Sequence, residues 1–282
     1  MRIKTRIKYA LNKILASHNI KIGTYTAQRL EEQRIKRQLE LGWFDAPVFP
    51  LLHGMNGYSS EAIASSYVAY RFELQRLMAG NGDTGFNPEN DYYRSPDTEV
   101  LYCLVRQLKP KRILEIGSGN STAVIRQAIL DGGLEVFHTA IDPEPREDIS
   151  ALADRIIRAR YEEMDLDCEI KSLEANDILF IDSSHEVHVA NDVVKLFCNT
   201  LPSLAPGVAI HIHDVFLPYD YPDPFCKAFP NWGEQYLLQA FLQSQAKKIL
   251  WPGYYVQRLR PDLHPGLPFL SKGVAQSFWF CN

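Results

Sequence analysis

The sequence predicts an α/β fold: a doubly wound, mostly parallel seven-stranded sheet preceded by an N-terminal helical addition. Three observations carry this. The run Arg112-Ile113-Leu114-Glu115-Ile116 is apolar, ends in Gly117-Ser118-Gly119 and passes into a helical pattern from Thr122 to Leu130. Short apolar runs then recur down the chain, separated at first by helical patterns. The residues before about Asn90 read as helices and stand outside that alternation.

Taken in order, Met1 to Lys13 carries Arg2, Lys4, Arg6, Lys8 and Lys13 and no acid, with Ile3, Ile7, Leu11 and Leu15 at four-residue spacing. That is a basic amphipathic helix. A solvated helix packed on its own domain or on a sister subunit explains it better than a membrane-surface helix, because one short helix binds anionic surfaces weakly. Thr26 to Leu41 and Ser59 to Met78 follow as helices, the second capped by Ser59 or Ser60 with Glu61 in its first turn. Gly80 to Asn90 is a loop. The division expected is a helical extension or cap over 1–90 and the α/β domain over 91–282. Added helices of this kind cover a ligand or make a homodimer contact.

Ser95 and Pro96 open a helix to about Leu108, which would place Tyr92, Tyr93 and Arg94 near a ligand mouth. Strands are expected at Glu135 to Ile141, at Asp154 to Arg160 and at Asp177 to Asp182, the last followed by a helix from Asn191 to Leu201. Gly207 to Ile212 is a fifth strand and Trp232 to Gln243 a helix. Ile249 to Leu259 and Val274 to Phe280 are expected to close the sheet as a hairpin pair.

The totals narrow the class. Of 282 residues, 46% are hydrophobic and 23% charged, as in ordinary globular domains. A net charge of -4 argues against a nucleic-acid binder. Five cysteines without pairing or metal spacing fit a reducing compartment. With no stretch of membrane-span length and no apolar signal core, a cytoplasmic location is expected.

In such sheets ligands bind beyond the carboxyl ends of the strands. Gly117 and Gly119 let a ligand approach the main chain. Asp142 ends the second strand, about twenty residues on, where a carboxylate accepts hydrogen bonds from both ribose hydroxyls. Glu162 or Glu163 follows the third strand, on the adenine side. Asp182, His185, His213 and Asp214 converge from the fourth and fifth strand ends. His211, deeper in its strand, reads as a core histidine.

Glu115-x-Gly117-x-Gly119 resembles motif I of the class I S-adenosylmethionine-dependent methyltransferases. The resemblance extends through Ile141-Asp142-Pro143-Glu144-Pro145, Phe180 to His185, and Pro206-Gly207 through His211-Ile212-His213-Asp214-Val215-Phe216-Leu217-Pro218. It covers over half the chain and is distantly similar to the macrocin-type sugar O-methyltransferases. It implies a Rossmann-like methyltransferase domain over 91–282, with S-adenosylmethionine held by Glu115, Gly117, Gly119, Ser121, Asp142 and Glu162. The implied acceptor is a small molecule, a sugar or glycan precursor, methylated on a hydroxyl.

Methyl transfer needs an aligned nucleophile freed of its proton. A base does this, or a metal that lowers the hydroxyl pKa. Asp182, His213 and Asp214 are candidate ligands for a divalent ion, Mg or Mn by their oxygen content. Metal-dependent relatives carry an acid where this chain has His213. Alternatively His185 or His213 is the base and an aspartate orients it. Pro218 to Pro224, aromatic and acidic, is an acceptor loop candidate. Two rival classes share these features: a nicotinamide-dependent oxidoreductase, disfavoured by Thr122 at the third glycine position, and a non-catalytic partner protein.

Overall fold

The computed structural model describes residues 3–18, 25–146, 148–259 and 266–282. Its sheet has seven strands: β1 (Arg112–Ile116), β2 (Phe137–Ile141), β3 (Arg155–Ile157), β4 (Ile178–Ile181), β5 (Ala209–Ile212), β6 (Lys248–Pro252) and β7 (Phe278–Cys281). They lie in the order β3-β2-β1-β4-β5-β7-β6. β1 to β5 are mutually parallel, and β7 runs antiparallel to both β5 and β6. The order reverses at β1, which sits between β2 and β4, so a crevice opens beyond the ends of those three strands. β1, β4 and β5 are buried on both faces, which explains their unbroken apolar runs.

The helices introduced before the sheet are α1 (Ile3–Leu15), α2 (Tyr25–Glu40), α3 (Glu61–Ala69) and α4 (Arg71–Met78); α5 (Asp97–Leu108) leads into β1 and α6 (Asn120–Gly132) leaves it. Tyr70 divides the single helix expected over 59–78 into two. Ser95 does not cap α5: its hydroxyl donates to Glu99 at 2.7 Å, and Pro96 holds the cap position. From Leu52 onward the N-terminal region is continuous with the sheet core rather than set apart from it, since Leu52, Met55, Ile63, Leu74 and Leu77 share one buried cluster with β1, β4 and β5. Farther out, Ile35 of α2 joins Phe216, Tyr219, Tyr221 and Tyr254 in a second cluster. The chain past α2 is tied to the loop after β5 by Val48 and Phe49, whose amides donate to the Pro218 carbonyl at 3.0 Å.

The expected strand over 249–259 is half right. It ends at Pro252, and Gly253–Leu259 is helical. The closing strand starts at Phe278 rather than Val274. Trp251, Phe278, Trp279 and Phe280 are fully buried, and this aromatic layer pairs the last two strands antiparallel.

Gly117 sits where three strand ends meet. Its amide donates to the Ile141 carbonyl at 2.9 Å, and the Asp182 amide donates to the Ile116 carbonyl at 2.8 Å. Its φ is +79°, and a Cβ there would stand 2.0 Å from the Asp182 carbonyl oxygen. Gly117→Ala is therefore expected to cost about 3 kcal/mol or more from backbone strain and overpacking together. Denaturant midpoints of the two proteins measure this; an unchanged midpoint would contradict the contact.

Candidate active site

The crevice holds two adjoining cavities, of about 420 and 760 Å³, which share Gly117, Asp142, Asp182, Ser183 and Ser184. The smaller is lined by Asp142, Arg160, Tyr161 and Glu162; the larger reaches His185, His213 and Asp214. Together they have the size and continuity of a site for a ligand and a second reactant. Asp142 fastens the turn: its Oδ2 accepts from the Ser118 amide at 2.8 Å and from the Ser118 hydroxyl at 3.1 Å, and its Oδ1 accepts from the Glu144 amide at 2.8 Å. Ser118, lying between the two glycines, thus joins Asp142 at the cavity wall; sequence spacing did not single it out.

Glu115 and Ser121 require a correction. Neither side chain lines the crevice. Glu115 is inaccessible to solvent; one carboxylate oxygen accepts from the Ser121 hydroxyl at 2.7 Å and the other meets Nε2 of buried His138 at 2.9 Å. The alternation of β1 sends Glu115 to the inner side of the turn, where it ties β1 to β2 and to α6. Its task is to brace the glycine turn. Gly119 has open space beside it and is locked through its amide, which donates to the Thr122 hydroxyl at 3.0 Å.

On the far side of Gly117 lies a histidine among acids. His185 Nε2 is 3.2 Å from Asp182 and 3.3 Å from Asp214, and its Nδ1 is 2.9 Å from Glu234. Both His185 and Asp214 occupy left-handed backbone, at φ +60° and +55°. Strain of that kind, stored in non-glycine residues, marks sites where side chains must be aimed. Glu234 is 1% exposed, in the first turn of helix Glu234–Gln243, and its second oxygen accepts from Ser183 at 2.9 Å. Nothing in the pattern of that helix announced it.

His213 stands one row deeper. Its Nδ1 is 3.7 and 3.8 Å from the Asp182 and Asp214 carboxylates, and its Nε2 is 3.7 Å from Asp97. The described residues whose donor atoms gather within 4.8 Å of one another are Asp182, His185 and Asp214. His185 thus joins the set expected from sequence: its Nε2 lies nearer the two aspartates, at 3.2 and 3.3 Å, than Nδ1 of His213 does. The turn Asp182-Ser183-Ser184 folds His185 back over the strand ends, whereas His213 packs its ring on Tyr93 at 5.0 Å. His211 is a core residue, stacked on Phe180 at 3.9 Å with Nε2 bonded to Ser277 at 3.0 Å.

The electrostatics follow from this nesting. Burial alone would lower His185, but hydrogen bonds to Asp182 and Glu234 and the Asp214 charge lift it from 6.5 to about 10. His213 rises well above its ordinary value against burial, chiefly through Asp214 and Asp182. Burial works to raise Asp182, yet hydrogen bonds from the two imidazoles hold it far below the usual carboxylate range. Asp214 is pushed up by burial, offset in part by His213 and His185. Burial drives His211 well down, which keeps it neutral.

The acceptor side differs from expectation too. Tyr219 and Tyr221 are 2% and 4% exposed and belong to the second core cluster, so the Pro218 to Pro224 loop presents no free aromatic face through them. Phe225, Phe229 and Trp232 line the larger cavity instead, with Trp232 centred 4.6 Å from the His185 ring. Tyr92 and Arg94 do reach that cavity; Tyr93 is buried beneath it.

Two predictions follow from these contacts. Glu115→Ala strands His138 and frees the turn, and is expected to cost about 2–4 kcal/mol in urea denaturation; a neutral result would remove its bracing role. In metal-free protein, the raised value of His185 means its contribution is complete below about pH 6.5 and is lost as pH climbs through about 10. Melting temperature should fall across that window, and Glu234→Gln should flatten the slope. Parallel profiles for the two proteins would count against the triple contact.

Residues 114–215 match the family model of a methyltransferase domain. No curated protein matches the chain. Among solved structures, a methyltransferase from Podospora anserina bound to S-adenosylhomocysteine is 17% identical, covering 82% of this chain and 92% of its own, at a TM-score of 0.38. An O-methyltransferase from Bacillus cereus, also with S-adenosylhomocysteine, is 18% identical over 80% of this chain and 98% of its own, at 0.35. An N1-methyltransferase acting on 1,6-didemethyltoxoflavin, from Burkholderia thailandensis, is 16% identical over 84% and 92%, at 0.31. At these scores they are likenesses only. The family match begins in β1 and ends just past β5, enclosing the glycine turn, Asp142, Asp182, His185 and Asp214, and it favours a methyltransferase over an oxidoreductase. Over residues 114–215, which run from β1 to just past β5 of the seven-stranded sheet, the chain is similar to the methyltransferase-domain family.

Proposed function

We propose that the protein methylates a hydroxyl of a small-molecule acceptor, a sugar or glycan precursor, with the help of a divalent ion, Mg or Mn, held by Asp182, His185 and Asp214. The observation that carries this reading is that the glycine turn and the histidine–carboxylate cluster open into one cavity, separated only by the Gly117–Asp182 backbone contact.

The donor set suits such an ion. Two carboxylates and one imidazole nitrogen lie within 4.8 Å of one another. Glu234 Oε2 lies 2.9 Å from His185 Nδ1, placed to accept its hydrogen bond, the outer contact that aims a ligating imidazole and sets its tautomer. An ion bound there supplies Lewis acidity that lowers the pKa of the acceptor hydroxyl. S-adenosylmethionine supplies an electrophilic methyl group.

The protein's own residues supply position. Asp142 and Ser118 hold the ribose side, and Glu162 stands on the adenine side. Gly117 lets the cofactor lie against bare backbone. Phe225, Phe229 and Trp232 offer aromatic faces for a sugar ring, and the cluster acids accept hydrogen bonds from its hydroxyls. Charge at the reacting oxygen is then met by fixed groups in a recessed site, where alignment contributes much of the rate. In the ion-free cluster His185 holds a proton between three carboxylates. It is then poorly placed to act as a free base, and an ion bound there would have to displace that proton.

Calorimetry with S-adenosylhomocysteine is the first test. Binding should be measurable, and Asp142→Ala should weaken it about tenfold or more, the loss of charge-assisted hydrogen bonds. Folded protein that takes up no ligand would end the cofactor assignment. His185→Ala and Asp214→Asn should leave that affinity within a few fold while turnover falls roughly 10²–10⁴-fold. Chelation should remove activity, and added Mg or Mn restore it; turnover indifferent to chelation would sink the metal half alone.

A further inference from the structure

The basic helix α1 is not absorbed by this chemistry, and the structure removes one explanation for it. Ile7, Leu11 and Ile14 are 55%, 41% and 69% exposed, so among the described residues this apolar ridge is left uncovered. At 3.6 residues per turn the three side chains fall within about 60° of arc. Lys8 lies to one side of that arc and Lys13 to the other, where long cationic side chains can reach from an apolar surface to its polar rim.

The charge of the whole chain is divided the same way. Seven of its 30 lysines and arginines fall in the first thirty residues, and none of its 34 acids does, so the remainder carries eleven more acids than bases. A basic arm on an acidic body is drawn to an anionic surface by the arm and held off it by the body, which orients the molecule. A second copy of the helix is a poor cover for the ridge, since pairing would bring like charges together. A water-soluble apolar ligand would not need the cations.

We propose that α1 docks this protein on the surface of a bilayer containing anionic lipid, lying in the plane of the interface with Ile7, Leu11 and Ile14 inserted and the lysines against headgroups. It does not cross the bilayer: no helix among the described residues is long and apolar enough to do so. The anchor is weak and reversible, as one short helix must be. The proposal is independent of the methyl-transfer reading.

The test is sedimentation of the full chain with vesicles of phosphatidylcholine alone and of phosphatidylcholine mixed with phosphatidylglycerol. Binding is expected on the mixed vesicles only and should disappear in high salt. Leu11→Ser with Ile14→Ser should abolish it, and Lys8→Gln with Lys13→Gln should weaken it roughly 10- to 30-fold. Circular dichroism and S-adenosylhomocysteine affinity should stay unchanged in these variants, which separates loss of docking from loss of fold or of the cofactor site. Equal binding to both vesicle types, no binding, or binding untouched by the substitutions would overturn the proposal. So would a dimer in analytical ultracentrifugation that the serine variant dissolves without any vesicle binding.

Discussion

The site depends on one close approach. Gly117 lies against the backbone carbonyl of Asp182, with no room for a side chain between them. β1 and β4 can therefore end side by side, and the glycine turn lies directly beside the residue that opens the acidic cluster. Any Cβ at 117 would push the two apart and separate the turn from the histidine–carboxylate cluster. The fully buried Glu115, with Ser121 and His138, holds that turn from below. Asp142 holds it from the side.

The cluster on the other side of Gly117 is a matter of charge balance. Asp182, Asp214 and Glu234 surround one imidazole, and His213 and Asp97 form a second row behind. Carboxylates this close repel one another unless a cation lies among them, whether a proton on each histidine or a metal ion. Under the proposed function that requirement would link protonation to metal binding, since both would contend for the same nitrogen of His185. It also explains why two non-glycine residues there sit in left-handed backbone: satisfying several acids at once constrains the loops more than each residue's own preference does.

The N-terminal region has two physical characters. From Leu52 onward its apolar side chains complete the core of the sheet, and residues 43–50 pack over the loop after β5. α1 instead presents its apolar ridge of Ile7, Leu11 and Ile14, with Lys13, outward. One segment works by burial and the other by exposure, which is why composition alone could not assign them a common role.

The sequence by itself determined the sheet and its switch point. Apolar runs ended by Gly117, Asp142, Asp182 and Asp214 mark strands whose carboxyl ends must share an edge, because period and turn chemistry are local properties. Gly117, Asp142, Asp182, His185 and Asp214 were legible for that reason. Only the tertiary structure decided which way side chains face once a strand gives way to a loop. It turned Glu115 and Ser121 inward, set His213 behind His185, buried Tyr219 and Tyr221, and made Gly253–Leu259 a helix. It also brought in Glu234 from 49 residues beyond His185, a contact with no local signature. Facing and long-range pairing are set by packing against neighbours distant in the chain, and no window of sequence contains those neighbours.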